Sequence, residues 1–225
     1  MIAPDVIMKS KRKTLSLCIT KDGKVVVHAP TRAKSEDIER FVIEKQSWLT
    51  SKLAIIESNR SVYDDVIRYK KLLFLGARYT PQRGEGAKIH FNDDFCIIIP
   101  NKIGDDKITK TIKSWYKKQA KEIINKRVDE ISNKIKLFAS EIKFSDSSGR
   151  WGACNSKNVV SFNWRVIMLP PSIIDYVIIH ELCHLVEFNH SKKFWSLVCA
   201  FLTDAKHRRE KIKEYSFLLG LFKNC

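Results

Sequence analysis

The segment HELCHLVEFNH, His180 to His190, sets three histidines and two glutamates into eleven residues of an otherwise apolar stretch. In a helix each residue advances by about 100°, so His180 and His184 stand one turn apart on the same face. Two imidazole nitrogens at that spacing can converge on one ion at about 2.0–2.1 Å, the zinc–nitrogen distance. Glu181 sits beside the two rings without being aligned to ligate, which places it to take a proton from a water that the metal activates. The arrangement H-E-x-x-H therefore predicts a zinc site with a general base next to it.

A catalytic zinc takes three protein ligands and keeps a fourth position open. Glu187 shares the helical face, but three ligands along one straight helix cannot surround an ion. His190 lies six residues past His184, and in a continuous helix it would sit roughly 9 Å further along the axis. It reaches the ion only if the helix stops first. Asn189, tolerant of left-handed backbone, is the expected stop, and Ser191 is the expected N-cap of the next helix, KKFWSLVCAFLTD. Glu210 and Glu214, on a later helix, compete with His190 for the third position, and periodicity does not decide between them.

These residues need a frame. Pro170-Pro171 ends the preceding section, and Ser172 with Asp175 reads as a capping box opening the helix. Ile178, Ile179, Leu182, Cys183, Leu185 and Val186 form its packing arc, with the histidines and glutamates opposite. Upstream, IKFS, SSGRWGAC and VVSFNW predict two short strands around a Gly-bearing turn. VVSFNW is either an edge strand beside the site, able to pair with an extended peptide, or an interior strand. Arg150, Trp151, Asn163, Trp164 and Arg165 read chiefly as packing and tethering residues. From Asp105 to Phe138, apolar residues at helical spacing predict a long amphipathic helix. Its Lys110, Lys113, Lys117 and Lys121 line another face, read as solvated surface.

Before that helix, TLSLCITKDGKVVVHAP predicts a hairpin turning at Asp22-Gly23. Ser35 is the expected N-cap of one helix running to roughly Ser58, and KLLFLGARYT, AKIHF and FCIIIP follow as strands. The fold class is α+β: residues 1–100 form a β-rich N-terminal region with one helix, and 101–225 a helical zincin-like core with a small sheet.

The 225 residues are 44% hydrophobic, enough to bury a sizeable core without covalent staples. No signal-like leader and no run of eighteen apolar residues occurs, so a cytoplasmic protein with no membrane partner is expected. Six scattered cysteines without a C-x-x-C pair exclude a zinc ribbon and a disulfide framework. The formal charge of +16 will draw polyanions at low salt, so weak non-specific nucleic-acid binding is expected. That charge is concentrated away from the histidines. Between Lys102 and Lys143 twelve Lys/Arg face six Asp/Glu, whereas Arg150 to His190 holds three of each.

The run GRWGACNSKNVVSFNWRVIMLPPSIIDYVIIHELCHLVEFNHSKKFWSLV resembles the YgjP-like metallopeptidase family, relatives of the SprT-like zinc proteases. The likeness lies in an R-W-G-S-C type loop, an N-W-R strand end, H-E-L-x-H and N-H-S-x-x-F-W. It is strong over about residues 140 to 215 and looser before them. It implies one zinc per chain held by His180, His184 and His190, with Glu181 as catalytic acid/base and a peptide or protein as substrate. The chain departs from the family at Ala153, where Ser is usual, and at Cys183, where Ala is usual. Cys183 points toward the packing arc and is expected in the core. The leading reading is a zinc-dependent metallopeptidase. Its rivals are a zinc hydrolase of a non-peptide amide or ester, and a DNA-associated protein or protease that uses the basic surface.

Overall fold

The computed structural model describes residues 1–20, 23–92, 94 and 96–222. The chain divides into two compact units, Met1–Val62 and Tyr63–Cys225. Strands dominate early and helices late, and the class is mixed α+β. The sequence-based division near residue 100 marks where element type changes, and we propose it only in that sense.

In the first unit, β1 (Val6–Ser10), β2 (Ser16–Ile19) and β3 (Val25–Pro30) form a sheet of order β1-β3-β2. β2 and β3 are the arms of the expected hairpin, with Leu17 opposite Val27. Asp22 lies outside the described residues. Gly23 has φ +88° and donates its N–H to the Thr20 carbonyl at 3.0 Å. Two helices stand where one was expected, α1 (Ser35–Glu44) and α2 (Gln46–Ile67). Lys45, with ψ near zero, breaks the register between them, and Lys34 rather than Ser35 is the N-cap. Val25, Val27 and Ala29 pack with Ile38, Val42 and Leu49 in a small core.

The second unit opens with β4 (Leu72–Phe74) and β5 (Ala77–Tyr79), a two-stranded hairpin. β6 (Gln82–Gly84), β7 (His90–Phe91) and β8 (Ile97–Pro100) follow in the order β6-β8-β7. Helix α3 (Asp105–Ile135) buries Ile112, Trp115, Tyr116, Ala120 and Ile124 along one side. It ends short of Phe138 because Lys136 turns left-handed, with φ 59°. Its lysine stripe is not a uniformly solvated face. Lys113 and Lys117 reach the Asp146 carboxylate at 3.3 and 3.2 Å, and Lys113 also donates to the Phe222 carbonyl at 2.8 Å. Lys110 and Lys121 are exposed.

A three-stranded sheet then carries β9 (Glu141–Ser145), β10 (Gly152–Cys154) and β11 (Val159–Asn163) in the order β10-β11-β9. β11, the VVSFNW strand, is thus interior, because β9 pairs with it in parallel on one side and β10 antiparallel on the other; β9 and β10 are the edge strands, and β10 is the one beside the Pro171–Cys183 helix. A 3₁₀ turn at Trp164–Met168 packs on α3 and leads into α4 (Pro171–Cys183), α5 (Lys192–Phe201) and α6 (Ala205–Glu214). Among the described residues no helix is long and apolar enough to cross a membrane.

Candidate metal centre

Helix α4 begins with Pro171, whose fixed φ suits a first helical position and whose missing N–H costs nothing there. The expected capping box does not form. Asp175 instead receives Nε and Nη2 of Arg127 on α3, both at 2.7 Å, a fork that ties α4 to α3. On another side, Arg208 of α6 donates to the Ser172 carbonyl at 2.7 Å. Held this way, α4 is buried almost all round. The arc expected to be polar and open contains Glu181 at 6% and His184 at 8% exposure.

The helix also stops earlier than Asn189. It ends at Cys183 with His184 as C-cap, and the Cys183 carbonyl accepts the N–H groups of both Val186 and Glu187 at 3.1 Å. Leu185 and Val186 thereby leave the packing arc, and Val186 is exposed. Asn189 is not among the residues with positive φ. It acts through its side chain, whose Oδ1 accepts the Ser191 N–H at 3.2 Å. Ser191 caps α5 as expected, accepting from the Phe194 N–H at 3.3 Å. The early stop and the new cap together bend the chain so that His190 comes back beside α4.

The ligand atoms of His180, His184 and His190 all lie within 4.8 Å of one another. Nε2 of His180 and Nε2 of His190 are 3.0 Å apart. His184 Nδ1 meets the Glu187 carbonyl at 2.9 Å, which fixes the tautomer in which Nε2 is free to ligate. His180 Nδ1 is buried, with no hydrogen-bond partner among the described residues. Burial, followed by the neighbouring His184, His190 and Arg209, pushes the His180 imidazole down to about 3. His190 is lowered by burial, His184 and Arg209. Neutral imidazoles are the ligating form, and three converging on one point fit a metal ion. Glu210 and Glu214 are not in this cluster; they pair with Lys213 and Lys211 at 2.7 and 2.8 Å.

The cluster opens into a cleft of about 440 Å³ whose walls include Arg150, Trp151, Tyr176, Phe188 and Ile212. Glu181 borders it. Burial raises the Glu181 carboxyl to about 8, against the lowering field of Arg150. Its side chain rests on Gly152: a Cβ there would stand 2.5 Å from Glu181 Cγ. β10 forms the neighbouring wall. Asn163 donates to the Trp151 carbonyl and Asn155 to that of Val159. By antiparallel alternation, the backbone groups of Gly152 and Cys154 therefore point away from β11, to the outer edge. Burial and the Glu181 charge push the Cys154 thiol up.

Asn163, Trp164 and Arg165 are tethers, as expected. Arg165 is fully buried; it pairs with Asp146 at 2.7 Å and donates Nε to the Leu221 carbonyl at 2.8 Å. Burial opposes ionisation of Asp146, but bonds from Trp164, Lys117 and Arg165 outweigh it and hold the carboxyl well below its usual range. Arg150 differs from these three. It is exposed at the cleft, where sequence reasoning had grouped it with the packing residues. Cys183 is in the core, its thiol pushed up to about 12 by burial.

A family model described as the YgjP-like metallopeptidase domain matches residues 13–215. The chain belongs to the YgjP-like family. No curated protein and no solved structure matches it. The YgjP-like assignment makes it a metallopeptidase-type domain, in which a hydrolase that depends on a metal ion is the supported class.

Several residues that build this YgjP-like site were not singled out from sequence. Gly152 was quoted only as part of the loop, yet its missing side chain makes room for Glu181. Phe194 stacks on the His184 ring at 4.4 Å and 22°. Tyr176, one turn before His180, and Ile212 of α6 line the cleft. For Phe194 the signal was its place as the F of N-H-S-x-x-F-W, three residues after the Ser191 cap; for Ile212 there was none.

Proposed function

We propose that the protein is a zinc-dependent metallopeptidase in which His180, His184 and His190 hold one zinc and Glu181 is the general base. The observation that carries this is the convergence of three imidazoles from a helix and the following loop, beside a buried carboxylate, in one cleft. When bound, zinc supplies a Lewis acid that makes a water more acidic and polarises a carbonyl. The chain supplies the rest. Glu181, held against Gly152, takes the proton of the attacking water and returns it to the leaving amine.

A peptide substrate is favoured over a small amide or ester by β10. Its outer backbone groups, at Gly152 and Cys154, are what an extended peptide needs to add itself as a further strand. Trp151, Tyr176 and Phe188 offer apolar surface to the peptide's side chains. The basic-surface reading is weaker, since Lys113 and Lys117 are turned to Asp146. We place the protein in the cytoplasm, where its described free cysteines stay reduced.

The test is N-terminal proteomics of a cell lysate treated with zinc-loaded protein or with Glu181→Gln. New N-termini that appear only with the unsubstituted protein are expected. Identical product sets from the two proteins would overturn the assignment of Glu181, and no products from either would overturn peptide hydrolysis.

A further inference from the structure

His180 and His184 are held in place by the body of the protein. His180 projects from buried α4 between Tyr176 and Phe194, and His184 is fixed by the Glu187 carbonyl and by Phe194. His190 also meets the Phe194 ring edge-on, at 4.9 Å, but it does not project from a buried helix and makes no hydrogen bond to the protein backbone among the described residues. It is exposed and lies in a loop, and among the described residues its only hydrogen-bond contact is to His180. A metal-binding imidazole ordinarily donates its second N–H to a carbonyl or carboxylate, which sets the ring's orientation. Among the described residues His190 lacks that partner, as His180 does, but His190 lies in an exposed loop rather than on the buried α4.

Another contact stands in its place. The Trp195 ring lies nearly parallel to the His190 ring, at 5.7 Å and 22°. The Arg209 guanidinium covers Trp195, with Cζ 4.2 Å from the ring centre. Arg209 projects from α6, which the Arg208 bond to Ser172 anchors on α4. A continuous stack thus runs from α6 through α5 to the loop. We propose that Trp195 and Arg209 are positioning residues for the metal site, a cation-capped aromatic support that orients His190 in place of the missing hydrogen bond. This rests on reading the three histidines as a metal site.

Arg209 pulls in two directions. Its planar cation stacks well on an indole face, and lysine does not reproduce that contact. Its charge also lies near the imidazoles and opposes any cation bound there. The two effects have opposite signs, which lets a pair of exposed-surface variants separate them.

The experiment measures Zn²⁺ affinity of the metal-free protein by competition with a chromophoric chelator, with thermal melting of the same samples. Trp195→Leu should weaken binding by about 10–100-fold, as is typical when an outer partner of a ligand is lost. Trp195→Phe, which keeps a ring, should recover part of the loss. Arg209→Lys keeps the charge and loses the stack, and should weaken binding by about two- to five-fold; Arg209→Met should weaken it less. If Arg209→Lys binds like the unsubstituted protein and Arg209→Met binds more tightly, Arg209 acts by charge alone and the proposal is overturned. Unchanged affinity in Trp195→Leu overturns it too. Should Trp195→Leu melt early, the Arg209 pair still decides. If His190→Ala binds Zn²⁺ as the unsubstituted protein does, the metal-site reading itself fails, a different result from either of these.

Discussion

Replacing Gly152 by alanine should disable the enzyme without touching any of the three histidines. The added Cβ would stand 2.5 Å from Glu181 Cγ and 2.7 Å from both Cδ and Oε1. Carbon atoms in contact keep about 3.5 Å apart, so something must move by about 1 Å. The Glu181 side chain has little room, being 6% exposed on a helix buried between α3 and α6. β10 is in turn held by its pairing with β11. Overpacking of this kind costs about 1–3 kcal/mol of stability. A misplacement of about 1 Å at a catalytic group can cost about 100-fold in rate. Gly152→Ala should therefore hydrolyse peptides roughly 100-fold more slowly, keep its metal content and melt only a few degrees lower. The assay is the initial rate on a peptide drawn from the proteomic cleavage sites, with metal quantified in the same samples. Because both changes act through one carboxylate, Gly152→Ala combined with Glu181→Gln should be little slower than Glu181→Gln alone. A rate within about twofold of the unsubstituted protein, at equal metal content, would refute the argument that Glu181 must hold this position to work.

His190→Ala should lose most bound zinc, whereas Glu210→Ala and Glu214→Ala should keep it; metal analysis showing the reverse would reassign the third ligand. Asp146→Asn leaves the fully buried Arg165 without its carboxylate, and removing one member of a buried pair costs about 3 kcal/mol or more. Since the folded Asp146 pKa is depressed, its contribution is full above the unfolded value of about 4, shrinks gradually below that, and is lost only as pH falls through the folded value. Urea melts should show the full destabilisation at pH 7 and a smaller one, still present, at pH 3, and an equal loss at both would contradict the ion-pair origin. Duplex DNA should bind weakly with an affinity that falls steeply with added salt. Charge reversal at Lys110 and Lys121 should weaken it further, and fluorescence anisotropy that is insensitive to salt would argue against a purely electrostatic surface.

What the sequence determined by itself is what local geometry dictates. The one-turn spacing of His180 and His184 and the adjacency of Glu181 need only the 100° step of a helix, and Ser191 caps α5 because its hydroxyl finds an N–H three residues on. Cys183 in the core follows from the same periodicity. Its reach failed wherever a partner from far along the chain competed for a group. Asp175 gave up its capping role to Arg127, 48 residues away. Lys113 and Lys117 left the solvated stripe for Asp146. β11 became interior only because β9 pairs with it. The choice between His190 and Glu210 was of this second kind. It turned on the path of the chain after α4 stops at Cys183, whose carbonyl accepts the Val186 and Glu187 N–H groups, because that path is what returns His190 to His180. Propensity and spacing act over one or two turns of chain, whereas which of two chemically suitable groups meets an ion depends on packing that brings distant segments together.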